Sequence, residues 1–267
     1  MKKNVVKFLV VAFMFMLVPC MYVKAEDPVT VADEQQLIDA LANGGVITLE
    51  NDIAVTKPLH AYKEVTIDGA GFTLSADPSF VKEDTGNGSL ITVHKDAVAT
   101  FTNIKITNNA EQSKYGIQAY DGGIAVLNGV TIFDCKWGAI LANGGGLIVN
   151  DLTLSNNPWG IEFGKGKEVT EDPAILMNGT IQVPEGEEQV DMLYMATNDQ
   201  LEKIEFGTMA DSEMSLTLDG TSLVLKDSEG TVVATSNTKD GVTLIEQEIE
   251  EEQPEEPTTP TEPAEEN

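Results

Sequence analysis

Three segments that open on an aromatic residue, Tyr115-Gly116-Ile117, Trp137-Gly138-Ala139-Ile140 and Trp159-Gly160-Ile161, start 22 residues apart. The same interval separates Asn128-Gly129-Val130-Thr131-Ile132 from Asn150-Asp151-Leu152-Thr153-Leu154, and Thr102-Asn103-Ile104-Lys105-Ile106 fits one turn earlier. A fixed period of this length marks stacked repeats, each too small to bury its apolar face alone. Inside the repeats apolar residues alternate: Ile104 and Ile106, Val130 and Ile132, Leu152 and Leu154, Ile117 and Ala119, Ile161 and Phe163. Alternation at period two predicts short strands with one buried face. Corners such as Asp121-Gly122-Gly123, Asn143-Gly144-Gly145-Gly146 and Asn156-Asn157-Pro158 supply positive φ at low cost. Each repeat therefore reads as one coil of strands and corners, every strand pairing with its copies above and below.

Upstream, Asp33-Glu34-Gln35-Gln36 has the order of a capping box, Leu37, Ile38 and Leu41 share one face, and Asn43-Gly44-Gly45 is a stop. This short helix leads into Val46-Ile47-Thr48-Leu49 and then Val65-Thr66-Ile67-Asp68-Gly69. The coil is too long for a left-handed hexapeptide solenoid and lacks the leucine and asparagine signature of a horseshoe. Over roughly residues 30–185 the chain resembles the pectate-lyase-like superfamily. The resemblance implies an all-β fold, a right-handed parallel β-helix (solenoid) with a short N-terminal helix covering the open end of the stack. Downstream, 215–218 reads as a strand, and Leu223-Val224-Leu225 and Val232-Val233-Ala234 as a hairpin closing the far end.

The flanks differ from the repeats. Lys2 and Lys3, an apolar run over 5–18 and Val23-Lys24-Ala25 have the layout of a secretory signal over residues 1–25. Leu17-Val18-Pro19-Cys20 offers lipidation at Cys20 as a rival, with Pro19 standing where a small residue belongs. Residues 246–267 hold ten Glu, four Pro and almost nothing apolar, which predicts a disordered acidic tail after a domain spanning 26–245. The formal net charge is −28, and losing four signal lysines brings it to −32. The chain contains no arginine. Such a surface repels nucleic acid and anionic lipid and attracts cations and basic partners. No apolar run reaches the roughly 20 residues of a membrane span, so stable insertion is not expected. With Cys20 removed, Cys135 has no disulfide partner and reads as a packed thiol. The expected location is secreted, extracellular or in a bacterial cell envelope, as a monomer.

Many members of the resembled superfamily are polysaccharide lyases or glycosidases. The lyases use an arginine base with clustered aspartates on calcium, and here Lys105, Lys136 and Lys165 would be the remaining bases. The hydrolases carry paired carboxylates on adjacent coils with a nearby histidine. Asp121, Asp134, Asp151 and Glu162 are not spaced by the repeat, so they predict no stacked pair. His60 and His94 lie in early coils without a repeat partner and read as structural. Glu50, Asp52, Glu64, Asp68, Asp77 and Asp84 leave room for calcium, although no cofactor is required. Catalytic residues are thus expected to be absent. Tyr115, Trp137 and Trp159 predict an aromatic column with ~4.8 Å steps, either structural or a platform for sugar rings, with Lys114, Lys136, Asn157 and Glu162 beside it. Asn128 and Asn150 predict a ladder of side-chain amides. The expected function is a non-catalytic, adhesin-like module that binds an extracellular polysaccharide or a surface protein. The alternative is a lyase or glycosidase with an atypical site.

Overall fold

Asp33 ends an extended segment and starts a helix, because its carboxylate accepts from the Gln36 amide 2.9 Å away while Gln36 accepts in return from the Ala32 amide. The computed structural model describes residues 28–83, 87–189, 191–195, 204–208, 215–219, 222–226, 229–237 and 242–246. The signal segment, Cys20, Asp84 and residues 247–267 lie outside them. After β1 (Val29–Val31) comes α1 (Glu34–Asn43), which buries Leu37, Ala40 and Leu41 against the first strands and stops at Gly44, φ +80°. The predicted capping helix is therefore present at the predicted place.

The strands then follow in chain order: β2 (Gly45–Leu49), β3 (Ile53–Val55), β4 (Leu59–Ala61), β5 (Val65–Asp68), β6 (Thr73–Ala76), β7 (Ile91–Val93) and β8 (Val98–Thr107). Next come β9 (Tyr115–Tyr120), β10 (Ile124–Phe133), β11 (Gly138–Asn143), β12 (Gly146–Ser155), β13 (Trp159–Gly164), β14 (Ala174–Gln182) and β15 (Asp191–Met195). One sheet runs β1-β2-β5-β8-β10-β12-β14-β16-β20, with β16 (Ile204–Thr208) and β20 (Val242–Glu246), and a second runs β4-β7-β9-β11-β13-β15. All pairs along both orders are parallel, so the molecule is an all-β, solenoid-like stack.

Between the sheets lies one continuous apolar core. Every residue assigned inward from its alternation, Ile104 to Phe163, is at most 2% exposed. Corners bring neighbouring coils very close: a Cβ on Gly123 would stand 2.3 Å from the Val93 carbonyl oxygen, and one on Gly145 2.4 Å from the Ala119 carbonyl carbon. Asparagine amides serve buried corner carbonyls. Asn157, fully buried, donates to the Ile132 and Ser155 carbonyls and accepts from the Cys135 amide at 3.0 Å. Burial pushes the Cys135 thiol up to about 12, as befits a packed group. The expected ladder is present and longer than read: Asn150 donates to Asn128, and Asn178 to Asn150.

At the far end β17 (Ser215–Asp219), β18 (Ser222–Lys226) and β19 (Val232–Asn237) form an antiparallel sheet whose last strand lies beside β15. The hairpin predicted there is present.

Candidate functional site

The outer face of the second sheet collects most of the chemistry-bearing side chains. Alternation sends Ile117 and Ala119 into the core, so Gln118 and Tyr120 point away from it, and the parallel register repeats this on each strand. One outward column therefore runs His60, Thr92, Gln118, Leu141, Glu162, Tyr194. Tyr62, His94 and Tyr120 follow Ala61, Val93 and Ala119, which are themselves in register, and so begin a second column.

Tyr115 and Trp159 both pair with Gly138, so Trp137 stands one residue off the lattice. The expected column with ~4.8 Å steps is thereby corrected. The connection 134–137 before β11 is one residue longer than 156–158 before β13, and Trp137 is the residue displaced. Ring centroids are 6.4 Å apart for Tyr115 and Trp137 and 5.9 Å for Trp137 and Trp159, both edge-to-face. Beyond them Trp159 stacks on Tyr194 at 4.8 Å and 11°. Lys114 Nζ sits 3.7 Å from the Trp137 ring centre, a cation–π contact. Tyr115 is buried, Trp159 half-buried, and Trp137 40% exposed.

The polar neighbours expected to meet a ligand are mostly committed within the protein. Tyr115 donates its hydroxyl to Glu162, which is 8% exposed. Burial raises the Glu162 carboxyl above its ordinary value, against the pull of the Tyr115 hydroxyl and the Lys114 charge. Burial, then Glu162, raise the Tyr115 phenol, so it remains a donor. Asn157 is enclosed in the corner described above. Lys136 donates to the Glu111 carbonyl, and Lys165 pairs with Asp172 at 3.0 Å. Lys105 is exposed on β8, away from the aromatic face.

His60 and His94, read as lone histidines, are brought together: His60 Nδ1 lies 2.8 Å from His94 Nε2. The connection from β6 to β7 is long, so the early coils do not keep the period of 22 and the two histidines stand 34 residues apart in sequence. The available signal was the repeated aromatic after an inward residue, Ala61-Tyr62, Val93-His94 and Ala119-Tyr120. Tyr62 stacks on His94 at 4.1 Å and 20°, and Tyr120 meets it edge-on at 6.0 Å. Glu83 Oε1 lies 3.1 Å from His60 Nε2. Burial, then the neighbouring His60, lower His94 to about 4.

The acids hold turns. Asp121 accepts from the Thr170 amide at 2.7 Å and the Glu171 amide at 3.2 Å, anchoring the connection 165–173, and Lys95 pairs with it at 3.3 Å. Asp52 accepts from the Thr73 amide, Asp68 from the Ala70 amide, and Asp77 from Ser79. Asp134 accepts from Asn156. Among the described residues no three His, Cys, Asp or Glu side chains converge as a metal cage, and no helix is long and apolar enough to cross a membrane. Compared with family models, curated proteins and solved structures, the chain matches none.

Proposed function

We propose that this chain is a secreted or cell-surface right-handed parallel β-helix of the pectate-lyase-like kind that binds an extracellular glycan and does not cleave it. The observation that carries the reading is the exposed Trp137 indole, pushed off the strand lattice beside Trp159. At 40% exposure the indole keeps a substantial part of its surface in water, and its aromatic face suits the apolar face of a sugar ring. Lys114 covers part of that indole and adds a donor for hydroxyl or carboxylate oxygens. Carboxylates engaged in turns and in the Tyr115 contact speak against paired acid and base work.

A glycan array with the purified protein, read for binding and for released reducing or unsaturated ends, tests this. Binding without release, lost in Trp137→Ala, is the expected result. Release of ends would establish an enzyme, and retention of binding in Trp137→Ala would remove the platform.

A further inference from the structure

We propose that His60 and His94 form a binding site for a divalent late first-row transition ion, with Glu83 orienting His60 from behind. The site is separate from the indoles. The chain's only two histidines come from different coils, yet two of their ring nitrogens converge to 2.8 Å. A neutral imidazole carries one proton, and the Glu83 carboxylate, 3.1 Å from His60 Nε2, selects the tautomer protonated there. The His60 Nδ1 lone pair then faces His94, whose Nε2–H fills the gap. Shifting that proton to His94 Nδ1 leaves a lone pair on each of the two facing nitrogens.

The dimensions suit such an ion. Metal to imidazole bonds of ~2.0–2.1 Å need nitrogens ~2.9 Å apart at the right angle of tetragonal copper(II) and ~3.3 Å apart at a tetrahedral angle, a widening of at most a few tenths of an ångström. Side-chain rotation of rings already tilted 45° to each other supplies it. A carboxylate on the far nitrogen of a ligating histidine fixes the ring and raises its basicity, the arrangement Glu83 makes with His60. The stack of Tyr62 on His94 holds the second ring in place. The His60 side chain is 24% exposed, which gives an ion access, and water completes the coordination shell. The net charge of −28 concentrates cations around the whole molecule.

Copper(II), the tightest-binding ion of the series, is the probe, titrated into the purified protein in excess calcium so that carboxylates are occupied. Electron paramagnetic resonance at one equivalent should show hyperfine coupling to two imidazole nitrogens. His60→Gln and His94→Gln should each weaken binding at least ~100-fold, and Glu83→Gln ~10-fold. Because the spectrum is read on the unaltered protein, it stands even if a histidine variant misfolds. An all-oxygen or single-imidazole spectrum, or unaltered affinity in a folded His94→Gln protein, would overturn the proposal.

Discussion

Tyr115 and Glu162 sit on strands two apart in the second sheet, and the phenol crosses the intervening Gly138 to donate to the buried carboxylate. This contact fixes a pH dependence. Burial raises Glu162 above its ordinary 4.5, so between that value and the raised one the folded state holds more protons than the unfolded state. Its contribution to stability is full below pH 4.5 and falls as pH rises through the raised value. The midpoint difference between the unaltered protein and Glu162→Gln, followed from pH 4 to 7, cancels the opposing His94 contribution and should show this fall. Tyr115→Phe removes the donor, should cost about 1–3 kcal/mol, and should extend the fall to higher pH. An unaltered profile in Glu162→Gln would refute the assignment.

Gly138 leaves the space through which Tyr115 reaches. A Cβ there would stand 3.0 Å from Tyr115 Cδ1 and Cε1 and 3.1 Å from the Trp159 carbonyl oxygen. Gly138→Ala should therefore cost about 1–3 kcal/mol through displacement of the ring. Denaturant midpoints check the cost, and a Gly138→Ala, Tyr115→Ala double variant should recover part of it.

His94 acts with the opposite sign. Its folded value of about 4 lies below its ordinary 6.5, so the unfolded state takes up the proton first. Stability is full above pH 6.5 and is lost as pH falls towards 4. Replacing His94 by Gln should remove this acid sensitivity. A variant that loses stability between pH 6.5 and 4 as steeply as the unaltered protein would contradict the burial of the ring.

Inward positions should tolerate no charge. Leu152 and Ile132, at most 2% exposed, lie on adjacent strands of the first sheet, where Leu152 pairs with Val130 and Ile132 with Leu154. An Asp at either site is an uncompensated charge costing several kcal/mol, and the damage spreads to neighbouring coils. Soluble Leu152→Asp protein with an unaltered melting midpoint would contradict the stack.

How much of this was legible follows from where the period held. From β9 to β13 one coil nearly repeats the next, so Ile117, Val130, Leu152 and Ile161 were assignable to the core by counting. Asp33 and Gln36 announced the helix because capping is local chemistry. Contacts that depend on corner length were not readable. One extra residue before Gly138 turned a predicted stack of rings into an edge-to-face cluster, and the long connection before β7 hid the His60 and His94 pair. The Tyr115 to Glu162 bond was hidden for another reason: it skips a strand, and only a glycine between them permits it.

The indoles separate a structural role from a binding one. Trp137 is 40% exposed and is covered by Lys114 and by two ring edges, so Trp137→Ala should cost about 1–2 kcal/mol, the sum of such partly exposed aromatic and cation–π contacts. Trp159 stacks on Tyr194 and carries more packing, so Trp159→Ala should cost more, though less than the ~3–5 kcal/mol of a core aromatic. The platform reading requires that glycan affinity follow Trp137 and not stability. Trp137→Ala should lose binding with only a modest fall in melting midpoint, whereas Gly138→Ala should lower the midpoint and weaken binding only through displaced rings. Fluorescence gives a direct readout, because Trp137 and Trp159 are the chain's only tryptophans. A sugar ring on the Trp137 indole excludes water and should shift its emission to shorter wavelength, and that shift should be absent in Trp137→Ala. A flat response to every glycan, together with a large midpoint loss in Trp137→Ala, would make the indole a packing element and remove the platform.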